Sequence, residues 1–300
     1  MKTGLKRDVV QKVQANEIVR VQWDGEPART EAARNAEHGG RLQQALDGYN
    51  AIAKDPKVTN ERLKTDLQYL IARTTARMAQ SDPTKADEAI RLLTAFRNAN
   101  GNSFRYYDLL KHLGRTYLVK KNFANATQTF RQLGQAPWQD TKLSAQIAEG
   151  QVLRAAGKPQ EALVIYDGIL AKTGNSATLK SIAVQAMVGK GACLHLTGKN
   201  NEAIRTLKDV IEKTSKTDHQ VLANAYVLLG DCYRAMNRDK DALLAYLHVD
   251  ILFSDQVEYH PRALYHLSKL WAQLGKPTRA GAAKVKLENA YANSEWAKKN

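Results

Sequence analysis

Seven histidines, two cysteines and one glycine-flanked helix are the residues whose types could do chemistry here. The histidines are His38, His112, His195, His219, His248, His260 and His266. A zinc site needs ligands on one helix face or in a CxxC pair, and neither an HExxH nor a CxxC occurs. They therefore read as structural or surface side chains, and no metal or cofactor is expected. Gly191 and Gly198-Lys199 faintly resemble a phosphate loop, but six residues separate the glycines and they lie along a helix rather than at a strand-to-helix turn. No GxSxG is present and no nucleophile–base set can be assembled, so the chain reads as a non-enzyme. Cys193 and Cys232 each follow a glycine by two residues, Gly191 and Gly230. Equivalent sites on stacked helices stand about 10 Å apart, whereas a disulfide needs Cα atoms within about 7 Å. Both are expected to be buried free thiols. Asn125-Ala126-Thr127 matches a glycosylation acceptor but falls inside an expected helix.

The elements that place these residues follow from an alanine that recurs at Ala45, Ala89, Ala126, Ala162, Ala203, Ala242 and Ala280. The gaps run from 36 to 44 residues, a period at which each unit buries its apolar face only against its neighbours. Paired helices are expected over 28–39 and 41–54, 60–79 and 85–99, 103–120 and 122–134, 140–156 and 158–172, 176–197 and 199–213, 218–236 and 238–253, and 259–274 and 276–291. Gly39-Gly40, Asn122, Gly157, Gly198, Asn237 and Gly275 mark the turns inside the pairs, being residues that reach the left-handed conformation ending a helix. Pro159 and Pro277 suit the first turn of the helix that follows.

Residues 1–27 differ. Val9, Val10, Val13, Ile18, Val19 and Val21 favour strands, and Asp24-Gly25 with Pro27 closes the segment as a turn. One or two short strands are expected, either docked on the first helices or left from a larger β unit, with Met1 an internal start. The organisation is thus a short β-rich segment at 1–27, a helical array at 28–292 and a tail at 293–300.

The net charge is +15, which favours acidic partners: nucleic acid, anionic headgroups or acidic protein segments. It is spread along the chain with no long Lys/Arg block, the pattern of a solvated basic surface. No stretch reaches the ~18 apolar residues of a membrane span, and MKTGLKRDVVQK lacks the apolar core of a secretory signal. A soluble chain is expected.

Within the units the spacing becomes specific. Twelve residues join Gly114 to Ala126, Gly150 to Ala162, Gly191 to Ala203 and Gly230 to Ala242. Ala33 to Ala45 and Ser268 to Ala280 repeat the interval with other small residues. Tyr117, Leu153, Leu194, Tyr233 and Trp271 share one position, and Tyr49, Phe130, Tyr166, Leu207 and Tyr246 another. This resembles the tetratricopeptide repeat (TPR), with large–Leu–Gly–large on helix A and Ala–large–Ala on helix B. The resemblance is strong in units three to six, weaker in unit one, and weakest in unit two, where the loop at Ser81–Lys85 intervenes. Unit seven departs at Lys284. The period exceeds the usual ~34 residues, and HEAT-like pairs of about 40–47 are the runner-up; the Gly–Ala interval argues for the former.

The resemblance implies an all-α, right-handed superhelical solenoid of about seven helical hairpins. The helix-A small residue would face the helix-B alanine, and the aromatics would fill the space between units. A binding groove is implied on the helix-A face away from helix B. Carried across unit by unit, that face holds Arg34 and His38, Tyr69 and Arg73, Lys111 and Arg115, Ile147 and Arg154, Val188 and His195, Asn224 and Arg234, then Arg262, Tyr265 and Lys269. Its arginines and lysines, with Asn224 and Tyr265, are the expected partner-binding set. Guanidinium forks bind carboxylates or phosphates bidentately. The Lys–Asn–Asn–Lys–Arg set of carboxylate-clamp co-chaperones is not found. The expected function is a non-catalytic protein-interaction scaffold holding a partner or acidic peptide in the groove. The alternative is a binder of nucleic acid or another anionic polymer. The last unit, with Tyr291, Ser294 and Ala297 in a Tyr-x-x-Ser-x-x-Ala pattern, is similar to bacterial cell-envelope repeat proteins, which leans localisation that way.

Overall fold

A computed structural model of the chain describes residues 13–18, 20–174 and 176–299. Among them are fourteen α-helices and no strand. They pair in chain order: α1 (Arg29–His38) with α2 (Leu42–Ala53), α3 (Glu61–Ala79) with α4 (Ala86–Ala99), α5 (Tyr106–Val119) with α6 (Phe123–Leu133), and α7 (Gln139–Ala155) with α8 (Pro159–Thr173). Then come α9 (Lys180–Leu196) with α10 (Asn200–Lys213), α11 (His219–Ala235) with α12 (Asp239–Leu252), and α13 (His260–Gln273) with α14 (Pro277–Tyr291). Each helix packs on the next. The odd-numbered helices also touch one another from unit to unit, α3 on α5, α5 on α7, α7 on α9, α9 on α11 and α11 on α13. This is the solenoid the alanine period predicts.

The turns inside the hairpins share one closure. The amide of the third residue beyond the helix end bonds back to the carbonyl five residues earlier: Lys158 to Leu153 O at 2.9 Å, Lys199 to Leu194 O at 2.9 Å, Arg238 to Tyr233 O at 2.9 Å and Lys276 to Trp271 O at 2.8 Å. Such closures need one left-handed residue. Gly157 and Gly198 supply it with φ 78°, and Asn237 with φ 56°. In unit three the left-handed residue is Lys121 at φ 54°, not Asn122. Asn122 instead caps α6, its side chain accepting from the Asn125 amide at 3.2 Å. Asparagine suits both posts, so composition alone does not separate them.

The small residues on helix A make room for a large side chain of helix B. A Cβ on Gly114 would lie 2.4 Å from the Phe130 ring, one on Gly150 2.7 Å from Cζ of Tyr166, and one on Gly230 2.6 Å from Cζ of Tyr246. On Gly191 it would lie 2.9 Å from Leu207. Each of these glycines therefore also seats the large side chain sixteen positions on, within its own hairpin. Phe130, Tyr166, Leu207 and Tyr246 are buried as a result. A large side chain withdrawn from water contributes about 1.5–3 kcal/mol, so this contact is a main tie between the helices of a unit.

The segment before α1 forms no strand in its described part. It holds a short 3-10 turn at Ala15–Glu17 and a turn at Trp23–Glu26, where Gly25 takes φ 72°. Val9, Val10 and Val19 lie outside the described residues. No neighbouring strand offers a ladder. Side chains of the helices take its backbone groups instead: Arg34 donates to Val21 O at 3.1 Å, and Asn60 to Asp24 O at 3.0 Å.

Candidate functional site

The inner face of the array carries the odd-numbered helices, and the chain itself covers both ends of it. At one end the segment 13–27 runs from unit one to unit four. Trp23 donates from its indole to Asp66 at 3.2 Å, and Asn16 donates to Asp140 at 3.2 Å. At the other end, residues 293–299 fold back after α14, placing Trp296 against α13. Between these coverings lies a cavity of about 480 Å³, walled by units two to seven.

The expected groove residues divide by this geometry. Arg34 is bound to the leading segment, its guanidinium 2.5 Å from Glu26. Arg73 clasps Glu37 bidentately, Nε to Oε1 at 2.9 Å and an Nη to Oε2 at 2.6 Å. Glu37 is buried and also accepts from Tyr49 at 2.9 Å, while Arg77 lies 3.3 Å away. Burial alone would raise the Glu37 pKa, but Arg73, then Arg77 and Tyr49, hold it below the ordinary value. Arg73 and Lys111 line a smaller cavity of about 220 Å³ beside Ala15, Asn16 and Trp138. Arg262 reaches Asp231 at 2.5 Å, and Tyr265 packs on Trp296 with centroids 5.6 Å apart. Lys269 is exposed with its ammonium over the Tyr265 ring, and Arg234 is exposed beyond the cavity wall.

Arg115, Arg154, Asn224 and Arg262 line the central cavity. Arg73, Arg105 and Arg262 each meet a carboxylate. Arg115 and Arg154 meet none among the described residues, and Nε of Arg154 is buried without a hydrogen-bond partner. Both guanidinium groups bear on the phenol of Tyr259, where burial, then Glu258, raises the pKa against them. The cavity thus presents two uncommitted forks beside apolar Val188, Val221 and Leu228.

Sequence reasoning did not single out Tyr259 or Trp296 as part of this wall. Trp296 carries a signal only in hindsight: a large aromatic after the last helix, amid residues that should otherwise be solvated. Three of the histidines pack against the fold. His260 bridges Asp250 at 2.8 Å and Tyr291 at 2.9 Å, and His248 stacks on Tyr226 at 4.5 Å. Burial, then Arg234, Arg262 and Lys299, lowers His266 to about 3, so its 3.8 Å approach to Asp231 is not an ion pair. Among the described residues no group of three His, Cys, Asp or Glu side chains could hold a metal. No described helix is long and apolar enough to cross a membrane.

Residues 182–249, spanning nearly all of α9 to α12, match the family model of the tetratricopeptide repeat. Two solved structures share the fold. A tetratricopeptide repeat protein from Parabacteroides merdae aligns with TM-score 0.53 and 17% identity, over 90% of this chain and 96% of that one. A Rap protein complexed with Competence and Sporulation Factor aligns with TM-score 0.59 and 16% identity, over 89% of this chain and 76% of that one. At these identities the likeness is one of fold. No curated protein matches.

Proposed function

We propose that this tetratricopeptide-repeat protein is a scaffold that holds an acidic segment of a protein partner in its central cavity. The tetratricopeptide-repeat match over 182–249 and the paired-helix array support a protein-interaction role. The finer reading rests on one observation: Arg115 and Arg154 face the cavity without a carboxylate, while the neighbouring inner-face arginines Arg73, Arg105 and Arg262 each have one. Guanidinium forks kept from internal acids are suited to carboxylates brought by a partner. The Rap protein of the same fold was solved in complex with Competence and Sporulation Factor, which supports an array of this kind holding a ligand. In this reading the array 28–292 binds, and the described parts of the flanking pieces, 13–18 with 20–27 and 293–299, shape the groove from its ends. Arg34, Arg73, Lys111, Arg234, Tyr265 and Lys269 act around that centre, by positioning the flanking pieces or by adding positive potential.

The test is capture from the native cell with the full chain and with an Arg115→Ala, Arg154→Ala double variant. The double variant is expected to lose the partner that the wild type retains. Retention of the same partner at the same yield overturns the reading. Binding that falls steeply with salt and ignores the partner's sequence would point to an anionic polymer instead.

A further inference from the structure

Trp296 occupies a defined seat. Its ring lies 5.6 Å from Tyr265 and 5.5 Å from His266, with the Arg262 guanidinium 5.2 Å from its centroid and the Lys299 ammonium 3.6 Å from it. The residues beside it mostly bond to one another. Ser294 N donates to Tyr291 O at 2.9 Å, and the Ala297 amide donates to Ser294 Oγ at 3.1 Å. One hydrogen bond leaves the segment for the far side of the groove, from Asn293 to Asp82 at 3.1 Å. The ring and the buried Ser294 therefore hold this segment on the wall. The seat is also incompletely satisfied: Nε of Arg262 and Nδ1 of His266 are buried without hydrogen-bond partners. The His266 side chain is only 7% exposed. Glu295, next to the ring, is exposed and forms no ion pair among the described residues. Ser294, Glu295 and Trp296 line the same cavity as Arg115 and Arg154.

We infer that residues 294–299 are a displaceable occupant of the groove, standing where a partner segment with an aromatic side chain beside a carboxylate docks. This rests on the groove being the partner surface. The partner's ring takes the Trp296 seat between Arg262 and Tyr265. Its carboxylate uses the polar atoms that Trp296 leaves idle, and its further acids reach Arg115 and Arg154. A seat shaped by a cation and aromatic faces selects a flat π system, and an unused guanidinium nitrogen selects an acceptor.

The chain's own sequence supplies the probe. A fluorescein-labelled peptide of residues 290–299 is titrated into the full wild-type chain and into the full Trp296→Ala chain. The variant, its seat vacated, is expected to bind at least ten times more tightly than the wild type. A peptide whose own tryptophan is replaced by alanine is expected to bind neither. Equal affinity for both chains, no binding to either, or undiminished binding of the tryptophan-free peptide overturns the inference. Should Trp296→Ala fail to fold by circular dichroism, the wild type decides. Excess N-acetylated peptide is then expected to speed deuterium exchange at the Ala297 amide, and unchanged exchange overturns the inference. Failure here leaves the Arg115–Arg154 reading standing, because that test keeps Trp296 in place and reads a cellular partner.

Discussion

Tyr166 is held between two backbones: Gly150 of its own hairpin and Gly189 of the next. A Cβ on either glycine would stand 2.7 Å or 2.3 Å from its Cζ. The phenol is fully buried and lies 3.4 Å from the Ile147 carbonyl. One ring thus ties α8 to the helices on both sides of it, and two missing side chains make its slot.

Replacing Gly189 with alanine is expected to cost about 1–3 kcal/mol, the usual penalty of overpacking. Gly150 and Gly189 both approach the ring, so it has little room to yield toward either helix. Gly168 is the control. It sits in α8 with nothing within 4 Å of where its Cβ would be, and alanine there is expected to stabilise by about 0.5–1 kcal/mol. Urea unfolding of the two variants reads both signs. A neutral Gly189→Ala would mean that the slot is looser than the ring contacts indicate.

Stability is expected to fall as pH drops below about 6.5. Burial lowers His112 to about 4; Asp108 opposes this, while Arg73, Arg115 and Arg77 add to it. His266 is lowered to about 3 by burial and then by its cationic neighbours. Both imidazoles stay neutral in the fold but take up a proton near 6.5 when unfolded. The unfolded chain then binds more protons, so acid favours it, by up to about 1.4 kcal/mol per pH unit for each histidine. Urea midpoints measured from pH 7 to pH 5 should decline, and His266→Phe should flatten the decline. A midpoint that holds steady over that range would refute this.

Cys193 and Cys232 are expected to be inert while the chain is folded. Burial pushes their thiols up to about 11 and about 12, and neither reaches solvent. Thiolate is the reactive form, so a disulfide reagent should titrate both only after unfolding. Rapid reaction of either in the native chain would show that its hairpin opens locally.

The hairpins were legible because their signal is local and repeated. The twelve-residue interval, the turn residues and the first-turn prolines place helix ends within a few positions throughout units three to seven. Why Gly230 is small was not legible. An interval shows that two positions recur together, but not that the glycine also seats Tyr246, whose ring in turn stacks on His266 of the next unit at 4.9 Å. The groove was legible as a face and not as a set of free charges. Whether Arg73 or Arg115 is uncommitted depends on Glu37, which lies in another unit, so the pairing is decided by tertiary approach. The β-branched residues before Trp23 favoured a strand, but in the described part no strand forms, and the helices offer side chains to its backbone instead.

The loop of the first hairpin meets the loop after α12: a Cβ on Gly40 would fall 2.5 Å from the Asp255 carbonyl oxygen. An ordinary stack of repeats frays from its outermost members, because each has a neighbour on one side only. Here the first hairpin leans on the linker between the sixth and seventh, so loosening one end removes support from the other. Cooperativity should therefore run around a loop rather than along a line, and a partner that pries this seam apart would soften the whole array at once.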